Sequence, residues 1–248
     1  KELDLDFNVD VTSYINSSYL AVAVQRDGKT LVGSGAVSSG VGSNPQKLTR
    51  LMPDGSIDPN FSASGIPFNP DGFVQAILPL ENGRILVGGI GLFVGPSPAL
   101  ICLNQDGTPD STFTMGAGLQ ATDGYPSVSR MKRVGSKIYI LGNFDSYDDS
   151  PCKYFVILDS DGHKIGPEVN DMPAGAYFQD MEVQSTGMPV FMGAFPVDGK
   201  SANLIRMKTD GSLDESFKPA FIGNSIAFDL GQHDNIYVTG NYFDLKDK

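Results

Sequence analysis

The sequence contains no tryptophan and only two cysteines and two histidines among its 248 residues. Cys102 and Cys152 are too few for a disulfide framework, and their spacing is not that of a paired metal-binding motif. His163 and His233 fall in predicted turns, and neither lies beside a predicted nucleophile, so we expect neither to be a general base or a metal ligand. The sequence therefore predicts no catalytic residues, no metal site and no cofactor.

Basic residues and long apolar runs are also scarce. The chain has 18 Lys and Arg against 29 Asp and Glu, which gives a formal net charge of -11. Non-specific nucleic-acid binding depends on neutralising phosphates with Lys and Arg, so this balance opposes it. No stretch approaches the roughly 18 to 20 consecutive apolar residues of a membrane-spanning helix. We expect no nucleic-acid partner and no membrane insertion.

Glycine and proline, in contrast, are plentiful at 29 and 16 residues, and the large apolar residues occur in short groups. This distribution is typical of many short strands joined by turns. One pattern recurs about every 50 residues, and each copy opens with a segment of alternating apolar and polar residues that predicts a strand. The openings are Tyr19–Gln25, Phe73–Leu78, Val128–Val134, Phe178–Val183 and Ser225–Leu230.

Each opening is followed by a polar hairpin turn and a second short apolar segment that ends in glycine. A recurrent glycine in a strand indicates a bulge or a close approach of another backbone. A third apolar segment, an Asp-Gly turn and a short closing segment complete most copies. Each copy therefore predicts a four-stranded sheet. The strand glycines are Gly33, Gly88, Gly142, Gly193 and Gly240.

One such sheet cannot bury both of its faces, whereas sheets arranged in a ring bury one another. We therefore predict an all-β fold, a β-propeller of about five four-stranded blades that forms one domain over residues 1–248. The segment Leu3–Phe7 matches the end of a copy, while the fifth copy stops before its third strand. Two explanations stay open: the N-terminal segment closes the last blade, or the chain is truncated from a larger propeller.

The motif order is opening strand, Asp-Gly-Lys, Leu-Val-Gly, Arg-Leu, Asp-Gly-Ser, then Ile or Leu, Asp and Phe. It is similar to the delta-sixty repeat, a bacterial β-propeller family of undefined function. The best copies are residues 25–61 and 203–217, while the third copy departs from the pattern at Gly135-Ser136 and Gly166–Val169. The resemblance implies a fold and motivates the expectation of an extracellular or cell-surface protein.

The loops that follow the second strands differ in length, and binding residues are usually found on such loops. The densest aromatic and acidic group among them is Asp145, Tyr147, Asp148 and Asp149. An aromatic ring beside carboxylates suits sugar stacking with hydrogen bonds to hydroxyls, a cation, or a protein partner. We predict that these four residues bind a ligand. The aromatic residues Phe144, Phe195 and Tyr242 recur at one position of the repeat and are expected to be core.

Two other groups have simpler interpretations. Asp159–Gly162 resembles the start of a calcium loop, but the later ligands are missing, so we interpret it as a turn. Arg130, Lys132, Arg133 and Lys137 form the one local basic cluster, which we interpret as a solvated blade edge rather than an anion site.

These observations favour a non-catalytic binding or interaction module of a secreted or surface-exposed bacterial protein. We expect a monomeric domain with a carbohydrate or protein partner. Two alternatives remain: a propeller enzyme, such as a glycoside hydrolase or lyase that uses carboxylates on the loops or in the ring centre, and a structural component of an appendage or virion.

Overall fold

A computed structural model describes residues 19–35, 47–69, 71–93, 99–169, 172–197, 200–219 and 221–244. In these ranges the regular structure is β-strand, apart from a short 3₁₀ segment at Gln232–Asp234. None of the helical structure found there has the length and apolar character needed to cross a membrane. The strands are β1 Tyr19–Val24, β2 Thr30–Ser34, β3 Leu48–Leu51, β4 Phe73–Pro79, β5 Ile85–Ile90, β6 Leu100–Leu103, β7 Leu119–Gln120, β8 Ser127–Val134, β9 Lys137–Asn143, β10 Ser146–Tyr147, β11 Ser150–Pro151, β12 Phe155–Leu158, β13 Tyr177–Val183, β14 Pro189–Val197, β15 Lys200–Arg206, β16 Phe221–Leu230 and β17 Ile236–Asp244.

The strands form successive antiparallel blades. Blade 1 is β1-β2-β3, blade 2 is β4-β5-β6, blade 3 is β8-β9-β12, blade 4 is β13-β14-β15, and blade 5 has the described pair β16-β17. A single residue pair, Ile90 with Ser127, joins the edges of blades 2 and 3. The short strands β7, β10 and β11 make a small separate sheet. A fourth, outer segment is marked in blades 1 to 4 by the bridges Leu51–Ile57, Leu103–Pro109, Leu158–Lys164 and Met207–Leu213.

The opening strand of each blade contacts the opening strand of the next, in the order β1, β4, β8, β13 and β16. The buried apolar side chains lie between adjacent blades, in four clusters that each join two consecutive blades. Each sheet thus buries its faces against its neighbours, as in a β-propeller. The all-β propeller predicted from the repeats is confirmed.

Every opening strand carries a β-bulge at the same place. The pairing register shifts between residues 19 and 21, 74 and 76, 128 and 130, 178 and 180, and 225 and 227. A bulge inserts one unpaired residue and increases the local twist. Its recurrence shows that the five openings are equivalent parts of one repeating unit.

The strand glycines occupy two positions rather than one, which corrects the alignment expected from the sequence. Gly33 is paired with Ala21, but Gly142 is paired one step earlier, with Val128. A Cβ on Gly33 would lie 2.3 Å from Val74 Cγ1 of the next blade, whereas a Cβ on Gly142 would lie 1.8 Å from the Ser127 carbonyl oxygen. Glycine at the first position leaves room for a side chain of the neighbouring blade. Glycine at the second position leaves room for the backbone of the opening strand at its bulge.

Several further expectations concern the core and the chain ends. Phe144 and Phe195 are buried as predicted, whereas the Tyr242 side chain lies outside the described part. Cys102 and Cys152 are buried free thiols. Both explanations of the chain ends rest on residues 1–18 and 245–248, which lie outside the described ranges.

Candidate functional site

Tyr147 lies in the small sheet, in β10, with 1% of its surface exposed. Its hydroxyl donates a hydrogen bond to the Gly162 carbonyl oxygen in the outer turn of blade 3. Burial, followed by the nearby carboxylates, raises the pKa of this hydroxyl well above its usual value. The ring is therefore a core side chain that joins the small sheet to blade 3, and no sugar can stack on it in this conformation.

The three carboxylates predicted beside it have different surroundings. Asp145 accepts the Thr122 N–H at 2.7 Å, and this backbone hydrogen bond lowers the pKa of the carboxyl group. Asp148 accepts the Ala117 N–H at 3.1 Å. Asp148 and Asp149 form the exposed turn between β10 and β11, with φ of 47° and 58°. The structure brings the four residues together; Asp148 and Asp149 are exposed, and Asp145 is half-buried. Their role in binding stays a prediction.

Arg130, Lys132 and Arg133 of the basic cluster lie on the opening strand β8, and each pairs with an acid of a neighbouring blade. Arg130 contacts Asp180 at 2.6 Å, and Lys132 contacts Glu182 at 2.5 Å, both on β13 of blade 4. Their side chains are 41% and 39% exposed, so these two cations are partly solvated and at the same time pair with acids of the next inner strand. Lys137, at the start of β9, is exposed as predicted.

A cleft of about 410 Å³ lies where the opening strands of blades 1 and 2 end in their hairpin turns, beside the opening strand of blade 3. Proteins often bind small ligands in concave sites that combine an apolar surface with a few convergent polar groups. This cleft is more polar than most such sites: three of its eleven lining residues are apolar, and the others are polar, charged or glycine. Its lining residues are Val24, Gln25, Arg26, Asp27, Pro79, Leu80, Glu81, Asn82, Gly83, Gln105 and Arg133.

Glu81 is the centre of the polar part of the cleft. Its Oε1 accepts hydrogen bonds from Arg26 Nη2 at 2.8 Å and from Arg133 Nη2 at 2.9 Å. The hydrogen bond from Arg133, followed by that from Arg26, lowers the pKa of the Glu81 carboxyl group. In the described part of the chain, Gln25 Oε1 is buried and has no hydrogen-bond partner. Leaving a buried acceptor unpaired costs free energy, and a ligand that donates a hydrogen bond to it removes this cost.

The charges of the cleft balance, because Arg26 and Arg133 face Asp27 and Glu81. Guanidinium groups only donate hydrogen bonds, carboxylates only accept them, and amides do both. The site therefore suits a ligand that offers donors and acceptors side by side. A lowered pKa keeps Glu81 ionised, which does not suit the general acid of a hydrolase. Among the described residues, no group of three or more Asp, Glu, His or Cys is arranged to hold a metal ion.

This site is not apparent from the sequence, because its residues come from separate repeats. Arg26 and Glu81 are 55 positions apart, and Glu81 and Arg133 are 52 positions apart. Both separations are close to one repeat. Charged residues of alternating sign at the ends of successive opening strands are the signal that could have identified it.

Two segments, residues 25–61 and 80–113, match the family described as "Domain of unknown function (DUF5122) beta-propeller". The first segment coincides with one of the two best copies recognised from the sequence. The match is to this family and does not single out the delta-sixty repeat. Among curated proteins, no sequence matches the chain.

Several solved structures are similar in outline. A polysaccharide lyase of family PL25, an ulvan lyase, is 12% identical with a TM-score of 0.46, over 85% of this chain and 61% of the other. A protein of unknown function from Bacteroides caccae is 13% identical with a TM-score of 0.32, over 80% of this chain and 81% of the other. The extracellular domain of a candidate one-component system from B. thetaiotaomicron is 12% identical with a TM-score of 0.25, over 92% of this chain and 34% of the other.

The chain thus spans 61% of the length of the lyase structure. These identities and TM-scores support no statement about activity. The chain is a β-propeller, and two of its segments are similar to a propeller domain of unknown function.

Proposed function

We propose that the chain is a non-catalytic binding module whose ligand, a carbohydrate, occupies the cleft around Glu81. The observation that supports this proposal is the convergence of Arg26, Glu81 and Arg133 from three consecutive blades on one partly apolar cleft. A sugar presents adjacent hydroxyl groups, each of which both donates and accepts hydrogen bonds. Its C–H faces can pack against Val24 and Pro79.

The arginine and glutamate side chains of the cleft offer a ligand hydrogen bonds to charged groups. A hydrogen bond to a charged group contributes about 1.5–3 kcal/mol, and each 1.4 kcal/mol changes affinity about tenfold. Loss of one charged contact should therefore weaken binding roughly ten- to a hundred-fold. Glu81 and Arg26 are already exposed to solvent, so a ligand can exchange with water at this site without opening the fold.

An array of immobilised glycans tests the proposal. The Glu81→Gln variant keeps the size of the side chain and removes the charge that both arginines contact. Glu215→Gln is the matched control, since Glu215 is an exposed acid in the outer turn of blade 4 and does not line the cleft. We expect the wild type and the control to bind one glycan class and Glu81→Gln to bind it at least tenfold more weakly. Equal binding by all three would refute the cleft as the site.

The carboxylates of the β10-β11 turn remain a second place where a ligand can bind. The double variant Asp148→Asn/Asp149→Asn, on the same array, tests this role. Loss of binding in this variant, with Glu81→Gln unaffected, would move the site from the cleft to the turn.

We further propose that the chain is displayed outside the bacterial cell, as the sequence resemblance suggests. Fractionation of cells with an antibody against the chain tests this placement. Recovery from the cytoplasmic fraction alone would contradict it.

A further inference from the structure

A single carboxylate neutralises both arginines that line the cleft. Arg26 Nη2 lies 2.8 Å from Glu81 Oε1, and Arg133 Nη2 lies 2.9 Å from the same oxygen. Asp27, which also lines the cleft, adds a second negative charge. A ligand that approaches the two guanidinium groups therefore also approaches the charge of Glu81.

The other cations of the first two hairpin turns, residues 25–29 and 80–84, are paired in the same way. Lys29 contacts Asp27 at 3.5 Å and Asp58 at 3.2 Å. Arg84 contacts Asp110 at 3.2 Å. Every Lys and Arg of these two turns thus contacts an acid. The net charge of -11 adds a repulsion of anions that acts over longer distances.

The acceptors of the cleft, in contrast, are still available. Both arginines donate to Oε1 of Glu81, and among the described residues no hydrogen bond is formed to Oε2. The Glu81 side chain is 57% exposed, so a ligand can reach it. An ionised carboxylate only accepts hydrogen bonds. A hydroxyl group can donate to Oε2, whereas an ionised carboxylate or sulfate on a ligand has no hydrogen to donate.

We propose that Glu81 restricts the cleft to uncharged saccharides and excludes those that carry a carboxylate or a sulfate. This inference rests on the proposed carbohydrate-binding function and names the class of carbohydrate. Arginine makes its strongest hydrogen bonds with anionic oxygens, so the same two arginines without Glu81 would favour an acidic sugar. With Glu81 present, an anionic ligand group would lie beside a like charge, which opposes its binding.

Matched pairs of oligosaccharides test the proposal. Each neutral oligosaccharide of the array is presented beside a derivative in which the C6 hydroxymethyl group is oxidised to a carboxylate. We expect the wild type to bind the neutral member at least about tenfold more tightly than the oxidised one. Glu81→Gln should bind the oxidised member at least about tenfold more tightly than the wild type does. This gain of binding cannot arise from a loss of folding.

Glu215→Gln is again the control, because Glu215 is an exposed acid that does not line the cleft. It should keep the preference of the wild type for the neutral member. A gain of binding to the oxidised member in this variant as large as in Glu81→Gln would assign the selectivity to the overall charge of the protein. That result would overturn the role of Glu81.

The salt dependence of binding is a second, independent measurement. Salt screens the interactions of exposed charges. Between about 0.05 and about 0.5 M NaCl, binding of the oxidised member by the wild type should therefore strengthen, because repulsion limits it. In Glu81→Gln it should weaken, because attraction by the arginines drives it. Binding of the oxidised member that weakens with salt in the wild type would contradict the proposal.

The results separate this inference from the proposed function. A wild type that binds both members equally well would overturn the selectivity and leave a carbohydrate-binding cleft. So would a Glu81→Gln variant that gains no affinity for the oxidised member. A wild type that binds neither member of any pair would overturn the proposed function and this inference together.

Discussion

Arg206 shows how a single side chain holds the outer edge of a blade. Its Nη2 contacts Asp214 Oδ2 at 2.6 Å, and its guanidinium lies 4.7 Å from the centre of the Phe217 ring. Arg50, Asp58 and Phe61 make the same arrangement in blade 1, with distances of 2.8 and 4.6 Å. In both blades, the arginine thus holds the outer segment by an ion pair with the aspartate and by a cation–π contact with the phenylalanine ring.

The arrangement changes in the middle blades. In blade 2 the arginine position is Cys102, and Arg84 supplies the cation by contacting Asp110 at 3.2 Å. In blade 3 both partners are isoleucine, Ile157 and Ile165, so the outer segment has no ion pair at this position. This matches the departure of the third copy from the repeat pattern.

The Asp214→Asn variant should lower the free energy of unfolding by about 1–3 kcal/mol, because it leaves Arg206 half-buried with a weaker acceptor. The hydrogen bond from the Ser216 hydroxyl, followed by that from Arg206, lowers the pKa of Asp214. A lowered pKa gives stability that is present above the unfolded value of about 3.9 and is lost as pH falls through the folded value. The difference in the free energy of unfolding between variant and wild type, measured by urea unfolding, should therefore be largest at neutral pH and shrink in acid. An unchanged difference in acid would contradict this account.

Gly142 predicts a second effect at the scale of one residue. Because a Cβ there would lie 1.8 Å from the Ser127 carbonyl oxygen, Gly142→Ala must displace backbone at the bulge. We expect the free energy of unfolding to fall by about 1–3 kcal/mol. Gly65→Ala is the matched control, since nothing lies within 4 Å of its Cβ position. Thermal melts of the two variants compare them, and equal melting temperatures would refute the steric explanation.

The inner strands carry the main electrostatic feature at the scale of whole elements. Lys132 on β8 contacts Glu182 on β13 at 2.5 Å, and Asp229 lies at the equivalent position on β16. Burial is the largest influence on Glu182 and raises the pKa of its carboxyl group; Lys132 lowers it, and Asp229 raises it. Burial therefore dominates the pKa of this carboxyl group, and the charges on the neighbouring inner strands adjust it.

NMR titration of the Glu182 side chain measures this effect directly. We expect it to titrate above the value of about 4.3 of an unperturbed glutamate. Lys132→Met should move the titration to higher pH, and Asp229→Asn should move it to lower pH. Because the folded pKa is raised, the associated stability is present below the unfolded pKa and is lost as pH rises through the folded one. Shifts of the same sign in both variants would contradict the assignment.

In the small sheet, the burial of Tyr147 is the feature that the sequence did not indicate. Tyr147→Phe should leave ligand binding unchanged, because the ring is buried, and should cost about 1 kcal/mol through the lost hydrogen bond to Gly162. Hydrogen exchange of the β10 and β11 amides should quicken, while exchange in blade 4 stays as before. A loss of binding without loss of protection would instead assign Tyr147 a direct role in the site.

For the whole molecule, the sequence predicted the blades well because each copy repeats the same local signals. Alternating apolar residues mark the opening strands, and the Asp-Gly turns are held as expected: Asp54, Asp106 and Asp210 accept N–H groups two residues on. The third copy differs, since Asp159 makes these bonds there and Asp161 does not. Local signals of this kind lie within a few residues of one another.

The candidate site was not predictable in the same way. Whether a ring such as Tyr147 faces solvent or core depends on how the inserted sheet folds back, which spacing in the sequence does not specify. The contacts of Arg26 and Arg133 with Glu81 form only when three blades are assembled. Both features are properties of the ring rather than of any repeat.

The most direct test of a non-catalytic binding cleft is a calorimetric titration of the glycan that the array retains, with analysis of the recovered glycan for cleavage. The wild type should bind, the Arg133→Gln variant should bind at least tenfold more weakly, and the glycan should be recovered intact. Arg133 is suited to this test because it contacts Glu81 and lines the cleft. Unchanged affinity in the variant, or cleaved glycan after incubation with the wild type, would contradict the account.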